Sequence, residues 1–334
     1  MVNQSFASGG VNCHPQLFPP MSMVSSIRFI AFIHIFSGAV AITGNVLVGL
    51  TICLNQQLQT FTNYFMLSLS VADGIVGCIG QPLMAYLLWT KGEKKCSFQK
   101  AQYFAGSASC GVSGLLLILV SLERYLHICK PFHYTRVMQG NRVTLVILTV
   151  TVGSMALTSV SFSGISRMAY SSILLGSYIS ALLCITPCYV LIYRTTIFHV
   201  RQVDRAASRA QLNQARISRR STLTIFTVVL VFLACWAPFF ITNCVWSFIR
   251  QPPNLLYTAY YYSLTLGYFN SCVNPFLYTY NNTALRNGIL HTVVKIFGKR
   301  ASKLCCIAEQ DAVVREISIV PNTQHRDTKS CKGL

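Results

Sequence analysis

A single carboxylate lies within the longest stretch of this chain that is otherwise free of charged residues. Between Phe29 and Thr90 the only charged residue is Asp73. A charged side chain inside a long uncharged stretch is tolerated in a bilayer only where it faces a polar or water-filled protein interior. The sequence therefore predicts a membrane-spanning bundle with a polar centre.

Composition and charge spacing predict how many times the chain crosses the membrane. Charged residues make up 10% of the chain and hydrophobic residues 53%, whereas a soluble domain has about 25% charged residues. The charge-poor window around Asp73 is long enough for two spans of about 20 residues, and each of five later windows holds one. We predict an all-α, seven-transmembrane helix bundle with spans at residues 27–53, 62–89, 97–128, 143–165, 170–200, 217–249 and 257–280.

The remaining segments are predicted to be short. Residues 1–26 form an N-terminal tail, and residues 27–280 form the seven-helix domain. Apolar residues recur at helical spacing after Thr283, with basic residues offset from them, which predicts a short amphipathic eighth helix within residues 281–304. Residues 305–334 are predicted to be a disordered tail that begins with the palmitoylation candidates Cys305 and Cys306.

The net charge of +19 indicates topology rather than nucleic-acid binding. All but seven of the 27 Lys and Arg fall in two inter-span loops and the C-terminal tail. The positive-inside rule then predicts an extracellular N-terminus and a cytoplasmic C-terminus. On this topology Asn3 is a glycosylation candidate, and Cys13 and Cys96 lie on the oxidising side, where they could pair.

Short motifs recur in order along the spans. They are the Gly44-Asn45 step, the Leu69-to-Asp73 run, the Glu123-Arg124-Tyr125 triplet, Phe232 with Trp236 and Pro238, and the segment from Asn274 and Pro275 to Tyr278. With these five markers in register, residues 27–300 resemble the rhodopsin-like (class A) G-protein-coupled receptors. The resemblance implies a plasma-membrane receptor that performs no covalent chemistry, and we expect arrestin as a second cytoplasmic partner.

The resemblance also implies a signalling switch. Glu123 would hold Arg124 until activation frees it to meet a heterotrimeric G protein. Pro238 is expected to kink span six. The further switch residues are Tyr125, Phe232, Trp236, Asn274, Pro275, Tyr278 and Tyr193, and the last two are the tyrosines expected to swing towards Arg124. Because span six begins with Ser218, Arg219 and Arg220 and offers no acid to Arg124, we expect a weak inactive-state latch.

Asp73 needs compensation at its depth. The resemblance supplies neutral oxygen and amide groups as its neighbours, and such a set suits Na⁺ bound as an allosteric ion. The alternative is a water-filled hydrogen-bond network. The predicted sodium ligands are Asn45, Asp73, Ser113, Asn270, Ser271 and Asn274.

The resemblance places a ligand pocket between spans three, five, six and seven, with Gln81 looking in from span two. The expected ligand-binding residues are Gly106, Ser107, Cys110, Phe239, Phe240, Asn243, Gly267 and Tyr268. None of the eight acidic residues lies there, and Gly106 stands where amine receptors place an aspartate, so a monoamine is disfavoured. Asn243 could pair with a purine, as in adenosine receptors, or could cap backbone groups.

The loop between spans four and five is very short and lacks a cysteine, as in melanocortin, cannabinoid and lysophospholipid receptors. Lys91, Lys94, Lys95 and Lys100 around the mouth would favour an anionic or amphiphilic ligand. Together with the missing acid and Asn243, these features predict a neutral or anionic ligand, purine-like or lipid-like. A peptide ligand is the alternative within the family. A cation transporter or channel is a further alternative, although the sequence shows no inverted repeat. An opsin-like pigment is excluded because span seven has no lysine.

Overall fold

The computed structural model describes residues 24–90, 96–203, 209–249 and 253–298. Within these ranges the chain forms helices joined by short turns and contains no β-strand. Seven long helices and one shorter one follow in chain order: α1 Val24–Leu54, α2 Phe61–Trp89, α3 Cys96–Cys129, α4 Gly140–Val160, α5 Arg167–Val203, α6 Arg209–Phe248, α7 Asn254–Asn281 and α8 Thr283–Phe297. A short helix, Pro131–Val137, follows α3.

The helices have the composition of membrane spans. Six of them, α1 to α6, are long and apolar enough to cross a bilayer. Helix α7 has 28 residues and no charged residue, but its many tyrosines and asparagines make it less apolar. Helices suit this environment because every backbone hydrogen bond is made within the segment.

Polar and apolar side chains are distributed as in a membrane protein. Asp73, Glu123 and Asn274 are buried in the interior, whereas Phe32 and Leu183 are among many large apolar residues on the outer surface. Helix α3 runs through the centre and packs against α2, α4, α5 and α6. The bundle therefore has a polar interior, as the isolated Asp73 predicts.

Helix boundaries follow local chemistry. The side chain of Thr60 accepts a hydrogen bond from Asn63 N and caps α2, and Asn282 accepts one from Leu285 N and caps α8. Such caps satisfy amide groups that the first turn leaves free. Two boundaries differ from prediction by five residues or more: α4 ends at Val160, five residues early, and α6 begins at Arg209, eight residues early.

One feature of α2 is not predicted by its hydropathy. After Ile75 the helix widens into a π-turn, Val76–Gly80, and resumes α-helical geometry at Gln81. A Cβ atom on Gly77 would lie 2.9 Å from the carbonyl oxygen of Gly38 on α1, so the two helices approach closely there. An extra residue in the turn rotates the rest of α2 about its axis.

Candidate functional site

Glu123 and Arg124 form a closed ion pair on α3. Arg124 Nε lies 2.6 Å from Glu123 Oε2, and Arg124 Nη2 lies 2.7 Å from Glu123 Oε1. Thr62 of α2 donates to both carboxylate oxygens at 3.1 Å and accepts a hydrogen bond from Arg124. Both charged side chains are buried. Two-point contact fixes the guanidinium against its own helix, and we call this part of the bundle the Arg124 end.

The short helix Pro131–Val137 lies beside this ion pair. Tyr134 contacts the His127 ring edge-on, with centroids 4.9 Å apart. Partial burial and the negative charge of Glu123 raise the pKa of Tyr134 to about 12, so the phenol stays protonated at neutral pH. Phe132, on the same short helix, is almost fully exposed and offers an apolar contact to a partner.

The tyrosine of α5 that faces the interior differs from the predicted one. Tyr193 is 68% exposed on the outer surface. Tyr189, one turn earlier, packs on Phe226 of α6 with ring centroids 4.8 Å apart. The buried stripe of α5 includes Cys188 and Ile192, and Tyr193 lies beside this stripe rather than in it. Tyr193 therefore does not face the interior as a switch residue was expected to, whereas Tyr189 contacts α6.

Tyr278 of α7 lies inside the bundle, as expected of a switch residue. It is almost fully buried, and its hydroxyl has no hydrogen-bond partner in the described structure. A buried phenol without a partner is costly, and a change in helix packing that gave Tyr278 a partner would be favoured.

Asp73 lies at the centre of a polar network that joins α2 to α7. It accepts hydrogen bonds from Ser271 Oγ at 2.8 Å and Asn274 Nδ2 at 2.7 Å. Asn45 of α1 donates to the backbone oxygen of Ser271 at 2.9 Å. Asn270 is buried on the same helix. The structure thus brings five of the six predicted sodium ligands onto neighbouring buried positions of α1, α2 and α7.

The donor set around Asp73 fits a small hard cation. The side-chain oxygens of Asn45, Asn270 and Asn274 are buried and have no hydrogen-bond partner in the described part of the chain. Carboxylate and carbonyl oxygens are the ligands that such ions prefer. Ser113 of α3 is buried, but no hydrogen bond joins it to Asp73. A sodium ion here would neutralise Asp73, which has no cationic partner among the described residues.

Sodium is expected to raise the thermal stability of the protein through this site. If the ion is present at ten times its Kd, binding contributes about 1.4 kcal/mol. We expect the unfolding midpoint of purified protein to be higher in sodium chloride than in choline chloride of equal ionic strength, and Asp73→Asn to abolish the difference. Equal midpoints for the unmodified chain in both salts would favour the water-filled network instead.

Phe232 and Trp236 lie on the inner face of α6, and Pro238 follows within the same helix. The rings of Phe232 and Trp236 have centroids 6.3 Å apart. Pro238 lacks the amide hydrogen that would bond to the Ala234 carbonyl, and next to that break Tyr178 of α5 donates to Leu233 O at 2.8 Å. This part of α6 is therefore held partly by a side chain of α5.

A cavity of about 180 Å³ lies directly against Trp236. Seven of the eight predicted ligand-binding residues line it; Gly267 does not, because the Trp236 ring lies against its Cα. The cavity also extends to parts of α4 and α5 that were not predicted, including Ser154, Thr158 and Tyr178. Among the described residues, no Asp, Glu, Lys, Arg or His lines it.

Gly106 leaves room for a contact between α3 and α7. A Cβ atom at position 106 would overlap the hydroxyl of Tyr268, and Gln102 Nε2 donates to that hydroxyl at 2.8 Å. The space that an acidic side chain would need at position 106 is therefore filled by a phenol. The structure gives a steric reason, besides the missing charge, why an amine has no counter-ion here.

Gln81 does not enter the cavity. It is fully buried between α1 and α7, where it accepts from Ser37 Oγ at 2.6 Å and donates to Tyr268 O at 3.1 Å. The π-turn before it rotates α2 and accounts for this placement. The expectation that Gln81 faces the pocket was wrong.

Asn243 uses its amide nitrogen to join α6 to α5. Its Nδ2 donates to Ser171 Oγ at 3.0 Å, and Ser247 donates to the same hydroxyl at 2.6 Å. Two-point pairing with a purine would need both the donor and the acceptor of the amide. One of the two amide hydrogens is engaged with Ser171, which gives Asn243 a structural role between α5 and α6 and fixes the direction in which the amide could meet a purine.

Comparison with known proteins identifies the family. The chain matches the family described as 7 transmembrane receptor (rhodopsin family) over residues 44–170 and 164–278. These two segments cover more than half of the chain. The chain belongs to the rhodopsin family of seven-transmembrane receptors.

Known receptors of three kinds are similar in sequence to this one. The 5-hydroxytryptamine receptor 4 of Cavia porcellus is 29% identical, over 88% of this chain and 83% of its own. Neuromedin-U receptor 2 of Homo sapiens is 29% identical, over 80% and 70%. The melatonin receptor type 1B-B of Danio rerio is 25% identical, over 81% and 83%.

Family membership confirms the predicted fold class and the multi-pass membrane location. It also confirms that the protein is a receptor rather than an enzyme, and it decides against the transporter alternative. Several predictions concern residues outside the described part of the chain. These are Asn3, Cys13, Lys91, Lys94, Lys95, Cys305, Cys306 and the tail, together with the side chains of Cys96, Ser218, Arg219 and Arg220.

Proposed function

We propose that this receptor binds a neutral small molecule in the cavity against Trp236 and promotes nucleotide exchange on a heterotrimeric G protein at the Arg124 end. The observation that carries the proposal is a cavity without any charged lining residue, seated on the aromatic pair of a proline-containing helix. The ligand would alter how Trp236 packs, and α6 would transmit that change.

The lining chemistry favours a neutral ligand. A buried ammonium or carboxylate on the ligand is strongly unfavourable without a partner of opposite charge. Among the described residues, the lining offers no charged side chain of either sign. The only mouth lysine within the described residues, Lys100, is exposed. We therefore prefer a neutral, lipid-like ligand to the anionic and purine-like ones that the sequence also allowed.

The size of the cavity favours a small ligand over a peptide. Its volume of about 180 Å³ is below the roughly 300 Å³ at which pockets for drug-sized ligands begin. A peptide remains the second candidate, favoured by the similarity to neuromedin-U receptor 2. The relatives' names also include 5-hydroxytryptamine, but the phenol of Tyr268 fills the space beside Gly106 where an amine would need an acid.

Trp236 is well placed to pass a signal to the Arg124 end. Its ring meets Tyr268 edge-on at 6.2 Å and lies against the Cα of Gly267 on α7. Phe232, one turn nearer the Arg124 end, lies against Gly114 of α3, where a Cβ atom would be 3.3 Å from its ring. Displacing Trp236 would shift α6 relative to α3 and α7, and Arg124 would be released from Glu123 as α6 moves outward.

The remaining assignments complete the proposal. The Arg124 end faces the cytoplasm, where most basic residues lie, and the N-terminal tail of residues 1–26 faces outside. Arrestin would bind the same cytoplasmic surface.

Sodium at the Asp73 network would stabilise the resting state. Asn3 would carry a glycan, the Cys13–Cys96 pair would close a disulfide, and Cys305 and Cys306, after the amphipathic helix, would be palmitoylated.

A ligand screen tests the proposed function. Cells expressing the receptor would be exposed in parallel to neutral, cationic, anionic and peptide compounds while several G-protein families are monitored, with mock-transfected cells as control. We expect responses from neutral, apolar compounds. Responses confined to amines or peptides would contradict the assignment of the ligand class.

A further inference from the structure

The central helix α3 has a stripe that its neighbours leave uncovered. Leu115 and Leu122 are each 40% exposed, although the adjacent Leu116 and Leu117 are buried. Gly111 and Ile118 are partly exposed at the intervening turns. Spacings of four, three and four residues place these positions on one face of a helix. The most central helix of the bundle therefore reaches the outer surface along one line.

The uncovered stripe lies between α4 and α5. Both helices pack on α3, but within the described residues they make little contact with each other. Leu157 of α4 is 39% exposed and Ser177 of α5 is exposed. The connection between the two helices, residues 161–166, places Phe162 against Tyr103 of α3 and not in this gap. A gap is left along the side of the bundle.

The gap and the cavity share a wall. Gly111, Leu115 and Ile118 of the stripe line the cavity, as do Leu157 and Ser177. Leu115 precedes Arg124 by nine residues, which is about 14 Å along a helix. In a hydrocarbon core about 30 Å thick, Leu115 therefore lies near the middle. An opening at this depth would meet acyl chains rather than lipid headgroups.

We propose that the cavity opens sideways into the bilayer between α4 and α5 and admits a neutral, membrane-partitioned small molecule. The entrant must be apolar enough to reach mid-membrane, and it finds no charge in the lining. Ser154 provides its polar contact, because the Ser154 hydroxyl lines the cavity, is buried and has no hydrogen-bond partner. This inference rests on the proposed function only in treating the cavity as the ligand site.

A photoreactive probe tests the opening without knowledge of the ligand. The full receptor in nanodiscs would be irradiated with an iodinated aryl diazirine, a small neutral compound that partitions into hydrocarbon. We expect label on the cavity-lining residues Phe240 and Thr158 as well as on the outer residue Leu183. Label on Leu183 alone would overturn the proposal, and this comparison needs no variant.

Two variants locate the route of entry. Leu157→Trp fills the gap and should lower the label on Phe240 severalfold. Leu183→Trp, on the outer face of α5 where the side chain is 71% exposed, should leave that label unchanged. If Leu157→Trp does not fold, Leu115→Phe serves the same purpose. Undiminished label in the filled variant would show entry by another route and overturn the proposal.

The remaining outcomes separate this proposal from the proposed function. Label on Leu115, at the gap itself, is also measured while the number of receptors per area of membrane is raised. If that label disappears, a second receptor copy covers the gap, which also overturns the proposal. G-protein activation is measured separately. Interior label without G-protein activation contradicts only the proposed function, whereas activation without interior label contradicts only the sideways opening.

Discussion

Replacing Arg124 with glutamine is expected to lower the free energy of unfolding by about 3–5 kcal/mol and to abolish G-protein activation. The variant leaves Glu123 fully buried with its guanidinium partner removed. Thr62 donates only one hydrogen and cannot replace a charge. Thermal unfolding of purified receptor and nucleotide exchange on purified G protein measure the two effects.

The double variant separates stability from signalling. Replacing Glu123 with glutamine as well removes the unpaired charge, so most of the lost stability should return while G-protein activation stays absent. Glu123→Gln alone keeps Arg124 but weakens its hold, and it should raise ligand-free exchange. A single Arg124→Gln variant as stable as the unmodified receptor would show that the pair is not closed as described.

Replacing Gly267 with alanine is expected to destabilise the receptor by about 1–3 kcal/mol through overpacking. The new Cβ atom would lie 2.9–3.0 Å from three atoms of the Trp236 ring, and this contact is with a rigid indole rather than a flexible chain end. Because Trp236 must shift, we also expect altered ligand-free nucleotide exchange. Unfolding midpoints and exchange rates measure the two changes.

A matched glycine provides the control for this prediction. A Cβ atom on Gly153 of α4 would have no other atom within 4 Å. Gly153→Ala removes helix-disfavouring flexibility and should stabilise the receptor by about 0.5–1 kcal/mol without changing exchange. If the two variants moved stability in the same direction, the tight packing between Gly267 and Trp236 would be refuted.

The sequence predicted those features that depend on composition and helical periodicity. Charge-free windows set the spans, because a buried charge is expensive wherever the chain crosses a bilayer. Because Asp73 is the only charged residue in its stretch, the sequence predicted polar neighbours around it. In the structure Ser271 and Asn274 donate hydrogen bonds to it. The adjacency of Glu123 and Arg124 made their ion pair available within one helix.

Features that depend on how each helix is rotated about its own axis could not be predicted from the sequence. The π-turn of α2 turned Gln81 away from the cavity, and Gly77, Gly80 and Pro82 are the signals that could have indicated it. The interior tyrosine of α5 depended on which face is buried, and α5 is apolar on most sides. For the same reason the contribution of α4 to the cavity was missed, since lipid-facing and cavity-facing residues are equally hydrophobic.

The most direct test of the account is ligand-free nucleotide exchange on a panel of purified heterotrimeric G proteins, measured with the receptor in nanodiscs. Because α6 begins with no acid to hold Arg124, the receptor should accelerate exchange above empty nanodiscs for at least one G protein. Glu123→Gln should accelerate it further, and the double variant lacking Arg124 should not accelerate it. Equal exchange rates with all three receptors and with empty nanodiscs would contradict the proposal that Arg124 controls G-protein activation.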